Sequence, residues 1–308
     1  MALTLKQLTY FVALAEARSF GVAAAKVHIS QPALSLQIKE LELNLGTLLV
    51  ERLPRDIRLT RAGQTLLERA RAVLSDLRDL EHAVRLQQGL TGRLSLGVIP
   101  TVAPYLLPQA LSRIRARDLT LDIRIREAQT AVLVEALAAG QLDAAVMSLP
   151  LERGGLVAEP LFEDRFVLAG SETRLSRFAG GAPRPKEVPQ DHLLLLDEGH
   201  CLADQALEVC GLNARPGPMD MGASSLATLT GLVAQGFGLT LLPEIALTAE
   251  TAAAPQLCLR RFAGPEPART LALVRRETSE AAWVSDLAAL LREAGEDLIS
   301  HARGAGRL

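Results

Sequence analysis

Three cysteines in 308 residues are too few for a disulfide framework: pairing leaves one thiol over, and a reducing interior opens structural bridges. Any bridge here is expected to be a switch rather than a staple. Long apolar runs are missing too. No stretch approaches about 18–20 uncharged apolar residues, and Lys6, Glu16 and Arg18 interrupt the first one, which argues against a membrane span or a signal peptide and for a cytoplasmic protein. Internal repeats and low-complexity tracts are lacking. Gly236-Phe237-Gly238 lacks the third glycine and the strand-to-helix setting of a nucleotide loop and reads as a helix stop. No second compact Cys or His pair accompanies the cysteines, so neither a metal nor a cofactor is expected.

What is present is a globular composition, 49% hydrophobic and 22% charged, in a chain long enough for two or three domains. The net charge of −2 conceals an asymmetry. Residues 1–90 hold 3 Lys and 9 Arg against 3 Asp and 6 Glu, a balance of +3 that leaves −5 for the rest. Arg52, Arg55, Arg58 and Arg61 crowd into ten residues with Asp56 alone opposing them, a density that suits either phosphates or a solvated surface.

Apolar spacing predicts three short helices between Leu5 and Ile38. Ser19 is expected to cap the second and Ser30 the third, with Pro32 in the first turn, where a missing N–H costs nothing. Leu34, Ile38 and Leu41 share the inward face of the third helix. Gln31, Ser35 and Lys39 line the other, a polar face suited to base edges in a major groove, although a plain three-helix subdomain fits the same pattern.

The run Ser19-Phe20, Ala23-Ala24, Ser30-Gln31-Pro32-Ala33-Leu34-Ser35, Gln37-Ile38, Leu41-Glu42, Leu45-Gly46, Glu51-Arg52, Leu59-Thr60 and Ala62-Gly63 resembles the winged helix-turn-helix of LysR-type transcriptional regulators. Leu49 departs from it, standing where the family usually has Phe. The resemblance implies double-stranded promoter DNA as partner, with Ser30, Gln31, Pro32, Ser35, Lys39, Arg52, Arg55 and Arg58 at the interface. Beyond Gly63, Leu66, Ala70, Val73, Leu77, Leu80 and Val84 form a heptad seam that either packs on its own chain or, as the family implies, dimerises; Gln87-Gln88-Gly89 and Gly92 end it as a hinge.

From Arg93 strands and helices alternate, predicting a mostly parallel α/β sheet. A second α/β lobe follows from about Phe166, and the chain returns through Thr270–Val274 to a closing helix near Trp283–Ile299. The family resemblance implies a two-lobed regulatory domain built like a periplasmic solute-binding protein. The expected domains are 1–62 (winged helix-turn-helix), 63–89 (linker helix) and 90–308 (regulatory), the last with lobes 90–165 plus 269–308 and 166–268.

Within the second lobe, Gly199-His200-Cys201-Leu202-Ala203-Asp204-Gln205-Ala206 leads to Cys210. On one straight helix the cysteine Cα atoms would stand about 13.5 Å apart on opposite faces. A disulfide needs about 4.4–6.8 Å, so bridging them requires unwinding. His200 and the backbone N–H groups of a helix start favour a thiolate at Cys201, the species that attacks peroxides, and Cys210 would then resolve the sulfenic acid. Two unrelated cysteines, Cys210 being a core residue, fit the spacing equally well. Thr101 and Thr130 offer hydroxyls for peroxide or water, or caps for local backbone, and Arg269 a cation for the departing oxygen. Cys258, in a strand from Leu257 to Phe262, reads as an inert core thiol.

This segment, with Asp204, resembles the redox segment of peroxide-sensing members of the same family, and so do Ile99-Pro100-Thr101-Val102, Pro104-Tyr105-Leu106-Leu107-Pro108, Glu127-Ala128-Gln129-Thr130, Leu241-Leu242-Pro243 and Arg269-Thr270. Ala203 departs from it, standing where an arginine is common. The resemblance implies hydrogen peroxide as effector, a homodimer or homotetramer, RNA polymerase as partner, glutaredoxin or thioredoxin as reductant, and antioxidant genes as targets. A regulator answering to an organic ligand in the interlobe cleft, a thiol peroxidase and a solute-binding protein are the rival readings.

Overall fold

The computed structural model describes residues 3–53, 56–85, 93–117, 121–151, 153–178, 180–212, 223–279 and 282–304, and two compact units divide near Val84. In the first, α1 (Leu5–Ala17), α2 (Phe20–Lys26) and α3 (Gln31–Leu45) precede a two-stranded wing, β1 (Val50–Leu53) and β2 (Asp56–Leu59), and the long α4 (Arg61–Arg85). Ser30 caps α3 by accepting from Ala33 N at 3.4 Å. Ser19 occupies the cap position of α2 but makes no side-chain bond there, so its expected capping is absent. Leu34, Ile38 and Leu41 are fully buried against Phe11, Leu14, Ala23 and Ala24, and Leu49 fills the same core. A leucine thus serves where the family usually has a phenylalanine. The Glu42 carboxylate accepts from Leu49 N and Val50 N, fastening the wing to the end of α3.

Gly63 is required where it stands, because a Cβ there would lie 2.1 Å from the Leu49 carbonyl oxygen. Farther along α4, Ala70 and Leu74 bury themselves against Leu8, whereas Val73 and Leu80 are 46% and 62% exposed. The seam therefore divides: its first turns pack on α1, with Leu74 in place of Val73, and Val73 and Leu80 keep an apolar edge in solvent. The hinge expected at Gln87–Gly89 and Gly92 lies outside the described residues.

The second unit contains β3 (Arg93–Val98), α5 (Ala103–Arg117), β4 (Asp122–Glu127), α6 (Thr130–Ala138), β5 (Ala144–Ser148), β6 (Leu156–Gly170), α7 (Glu172–Leu175), α8 (Cys201–Cys210), α9 (Leu226–Ala234), β7 (Leu239–Pro243), α10 (Leu247–Ala253), β8 (Cys258–Arg260), β9 (Ala268–Arg276) and α11 (Ala282–Gly304). The strand order is β4-β3-β5-β9-β6-β7, with β8 also on β6. Among the described strands β4, β3 and β5 pair in parallel, whereas β9 is antiparallel to both β5 and β6, so the sheet is more mixed than the alternating pattern predicts. The reason is the pair of crossing strands. β6 pairs with β9 from Leu156 to Arg165 and with β7 and β8 from Phe166 onward, passing from one lobe to the other as a single strand while β9 returns. No helix among the described residues is long and apolar enough to cross a membrane.

The far end of α11 is tied to the second lobe through Glu244, whose fully buried carboxylate accepts from Arg303 (2.7 and 3.0 Å) and Arg261 (2.9 Å). Burial pushes this carboxyl up, but the two guanidinium groups outweigh it and hold the group below its ordinary value of 4.5. The stabilisation is therefore present above that value and is lost as pH falls through the lowered one. We expect Glu244→Gln to cost about 1–3 kcal/mol in urea unfolding at neutral pH, and the gap from wild type to narrow in acid.

Candidate functional site

The carboxyl ends of β4, β3 and β5 stand side by side, the usual place for a site in an open α/β sheet. Thr130 follows β4, Thr101 follows β3, and Ser148 ends β5. Two hydrogen bonds hold the α8 segment to this edge. Gln129 Nε2 donates to Glu198 O at 3.1 Å, and Gln205 Nε2 donates to Ser148 Oγ at 2.6 Å. The anchors hold the two ends of the segment to the strands on either side of β3. Gly199 makes the approach possible: its φ is +88°, and a Cβ would sit 2.5 Å from Gln129 Oε1.

His200 takes the cap position of α8 with its ring buried, and Asp204 is exposed in the first turn. Leu202, Ala203, Ala206 and Cys210 form the buried face, and Gly211, at φ +69°, ends the helix. The two cysteines are free thiols at the first and last positions of one helix, about 13.5 Å apart along its axis. They differ sharply in setting. Cys201 is half-buried, whereas Cys210 is 5% exposed and its thiol is pushed up by burial to about 11.

Arg269 is fully buried. Its Nε and Nη2 bind Asp164 at 3.0 and 2.9 Å across the β6–β9 ladder, and its Nη1 donates to Thr101 Oγ1 at 2.9 Å. Asp164 also accepts from Ile245 N, and burial raises its carboxyl against the pull of Arg269. Because the Thr101 oxygen already accepts from Arg269, its own proton is left to donate elsewhere. Thr130 Oγ1 and Gln205 Oε1 are buried without a hydrogen-bond partner. On the other side of Arg269 a cavity of about 830 Å³ opens against α8, walled by Leu149, Phe166, Gln205, Glu208 and Val209.

The structure thus joins Thr101 to Arg269 and sets the braced loop beside Thr130. Sequence reading missed Gln129, Ser148 and Asp164; the position of the first two at the carboxyl ends of the parallel strands was the available signal. Cys258, expected in the core, is half-buried on β8 with its Sγ 3.7 Å from Gln256 O. In the first unit Gln31, Pro32, Lys39 and Arg58 are exposed, Ser30 caps α3 and Ser35 is half-buried; Arg55 and the Arg52 side chain lie outside the described residues.

The bacterial regulatory helix-turn-helix family of lysR type matches residues 5–64, and the LysR substrate binding domain matches residues 87–296. The chain belongs to the LysR family of transcriptional regulators. It is a DNA-binding regulator rather than an enzyme. Among LysR proteins it is 45% identical over 301 residues, 96% of this chain and 95% of the relative, to a probable hydrogen peroxide-inducible genes activator of Streptomyces viridosporus. Its structure is similar to a full-length OxyR from Pseudomonas aeruginosa bearing a cysteine-to-aspartate substitution (TM-score 0.74, 30% identity, 96% and 95% of the two chains). It is also similar to an H2O2-bound cysteine-to-serine mutant of Corynebacterium glutamicum OxyR (TM-score 0.68, 36% identity, 100% and 97%).

The unequal burial of the thiols has a direct readout. Iodoacetamide at pH 8 should alkylate Cys201 of the reduced protein at least about tenfold faster than Cys210, which should match it only after denaturation. Peptide mass spectrometry of the 201 and 210 sites at timed intervals checks this.

Proposed function

We propose that this LysR-family regulator senses hydrogen peroxide through a reversible Cys201–Cys210 disulfide and thereby controls antioxidant genes. The observation that carries the reading is one helix with a half-buried thiol at its start and a buried thiol at its end. In the first step the Cys201 thiolate attacks one peroxide oxygen and the O–O bond breaks. The departing hydroxide takes a proton and leaves as water, and Cys201 becomes a sulfenic acid. Thr101 and Thr130 donate hydrogen bonds to the oxygen that gains charge, and Arg269 acts by turning the Thr101 proton toward it. His200 stands at the cap position of the reactive turn and Asp204 stays in solvent. After α8 unwinds, the Cys210 sulfur attacks the Cys201 sulfur and expels the sulfenic oxygen as a second water.

The finer assignments belong to this reading: domains 1–62, 63–89 and 90–308, a cytoplasmic homotetramer assembled through the exposed edge of α4, RNA polymerase as downstream partner, and glutaredoxin or thioredoxin returning the thiols. In the DNA-binding unit Gln31, Ser35 and Lys39 read bases, while Ser30 and Pro32 set the start of α3 and Arg52, Arg55 and Arg58 hold phosphate. The 830 Å³ cavity favours a second reading, an organic effector seated against α8.

Two variants test the switch. After brief peroxide treatment Cys201→Ser should give neither oxidised sulfur nor an altered footprint, whereas Cys210→Ser should stop at a Cys201 sulfenic acid, trapped and read by mass spectrometry. Identical behaviour of the two, or a wild type without the disulfide, returns the account to the ligand-binding regulator.

The DNA contacts have their own readout. Arg52→Ala should weaken operator and scrambled DNA about equally and flatten the salt dependence, while Gln31→Ala should narrow the gap between them by about 1–3 kcal/mol. Unchanged relative affinities in Gln31→Ala would remove α3 as the reader.

A further inference from the structure

Away from the thiols, a buried carboxylate ties the two lobes together. Tyr105 Oη donates to Glu250 Oε1 at 2.5 Å, and Thr230 Oγ1, 3.0 Å from Ala227 O, lies closer, at 2.6 Å, to Glu250 Oε2. Tyr105, Thr230 and Glu250 are 8%, 1% and 5% exposed. Among the described residues no lysine or arginine pairs with Glu250, so two neutral hydroxyls hold this carboxylate. Burial, and then the hydrogen bond to and charge of Glu250, push the Tyr105 phenol far above its ordinary range and keep it a donor.

Such an arrangement is a poor way to gain stability, because a well-packed apolar trio of the same volume avoids the cost of desolvating the charge. What it does supply is a directional fix between three elements. Tyr105 stands in the first turn of α5, four residues after Thr101; Thr230 and Glu250 lie on α9 and α10, in the lobe that carries α8. The turn between is tightly wound, with Val102 N and Ala103 N both bonded to Ile99 O and Tyr105 N to Val102 O. The Thr101–Tyr105 turn is thus gripped at both ends, by Arg269 at Thr101 and by Glu250 at Tyr105.

We propose that Glu250 is a positioning residue for peroxide reduction at Cys201: by holding Tyr105 against the lobe that carries α8, it fixes where the Thr101 hydroxyl stands relative to the thiol. The inference rests on the peroxide-sensing reading and adds to it a residue 49 positions beyond Cys201 that touches neither peroxide nor sulfur. A displacement of about 1 Å in such a donor is enough to cost orders of magnitude in rate.

The test compares two reagents on the full-length reduced protein. Hydrogen peroxide needs the donors; iodoacetamide needs only an accessible, ionised Cys201. Glu250→Leu should slow oxidation of Cys201 by about tenfold or more while its alkylation stays within about twofold of wild type. Glu250→Gln, which still offers Tyr105 an acceptor, should restore most of the peroxide rate. Tyr105→Phe removes a single hydroxyl, should show the same selective loss, and decides the matter if Glu250→Leu does not unfold cooperatively on heating. Wild-type peroxide rates in both Glu250→Leu and Tyr105→Phe overturn the proposal, as do parallel losses toward both reagents or a Glu250→Gln as slow as Glu250→Leu. A wild type whose Cys201 peroxide does not oxidise overturns the peroxide-sensing reading along with it; an oxidisable wild type with indifferent variants overturns the positioning role alone.

Discussion

A disulfide closes between Cα atoms about 4.4–6.8 Å apart, and α8 holds those of Cys201 and Cys210 about 13.5 Å apart on opposite faces. No change of rotamer spans that gap, so forming the bond and losing the helix are one event. The loss is substantial. Leu202, Ala203, Ala206 and Cys210 all leave the core when α8 opens, and Leu202 alone gives up about 1.5–3 kcal/mol of burial. In the proposed switch the covalent bond has to offset that packing.

What gives way is set by the strengths of the attachments. Around the crossover between lobes the links are ionic: Asp164 with Arg269 on neighbouring strands, both buried, and the buried Glu244 carboxylate with the partly exposed Arg303 and Arg261. Removing one partner of a fully buried pair such as Asp164–Arg269 costs about 3–5 kcal/mol. The attachments of α8 to the first lobe include two neutral amide bonds, from Gln129 and Gln205, each worth about 0.5–1.5 kcal/mol net. In the proposed switch, an unwinding α8 also changes the wall that it contributes to the 830 Å³ cavity.

Much of this was legible in the sequence wherever a local rule applied. Ser30 with Pro32 marked the start of α3, and the four-three spacing of Leu34, Ile38 and Leu41 marked its buried face, because capping and periodicity act within one turn of chain. The helix start at Cys201 was legible for the same reason, while Cys210 as its last residue is a finding of the structure. The partners of Arg269 could not be read, since Asp164 lies 105 residues away and pairs with it only through the β6–β9 register. Gln129 and Ser148 stand at carboxyl ends of parallel strands, and Gln129 lies in the Glu127-Ala128-Gln129-Thr130 run, but their bonds to the α8 segment depend on the topology. The division of the α4 seam was hidden too: which turns face α1 depends on Leu8, 66 residues before Leu74. Ala203 gains a physical meaning only in three dimensions. It is 1% exposed, so an arginine there would force a charge into the buried face of α8 rather than simply add one beside the thiol.

The unequal burial of the two thiols also puts their chemistry in order. With burial pushing its thiol up to about 11 in the folded helix, Cys210 at neutral pH is held as the unreactive protonated thiol. In the proposed switch, unwinding would return it toward the ordinary value of 9.0 and raise its thiolate fraction about a hundredfold, in time to attack the sulfenic acid. Linkage gives the sign of the converse. The fold favours the neutral thiol, so that contribution to the stability of α8 is complete below about 9 and fades as pH rises toward 11. In the proposed switch, the helix that keeps the cysteines apart is also the device that keeps the second one silent until the first has reacted.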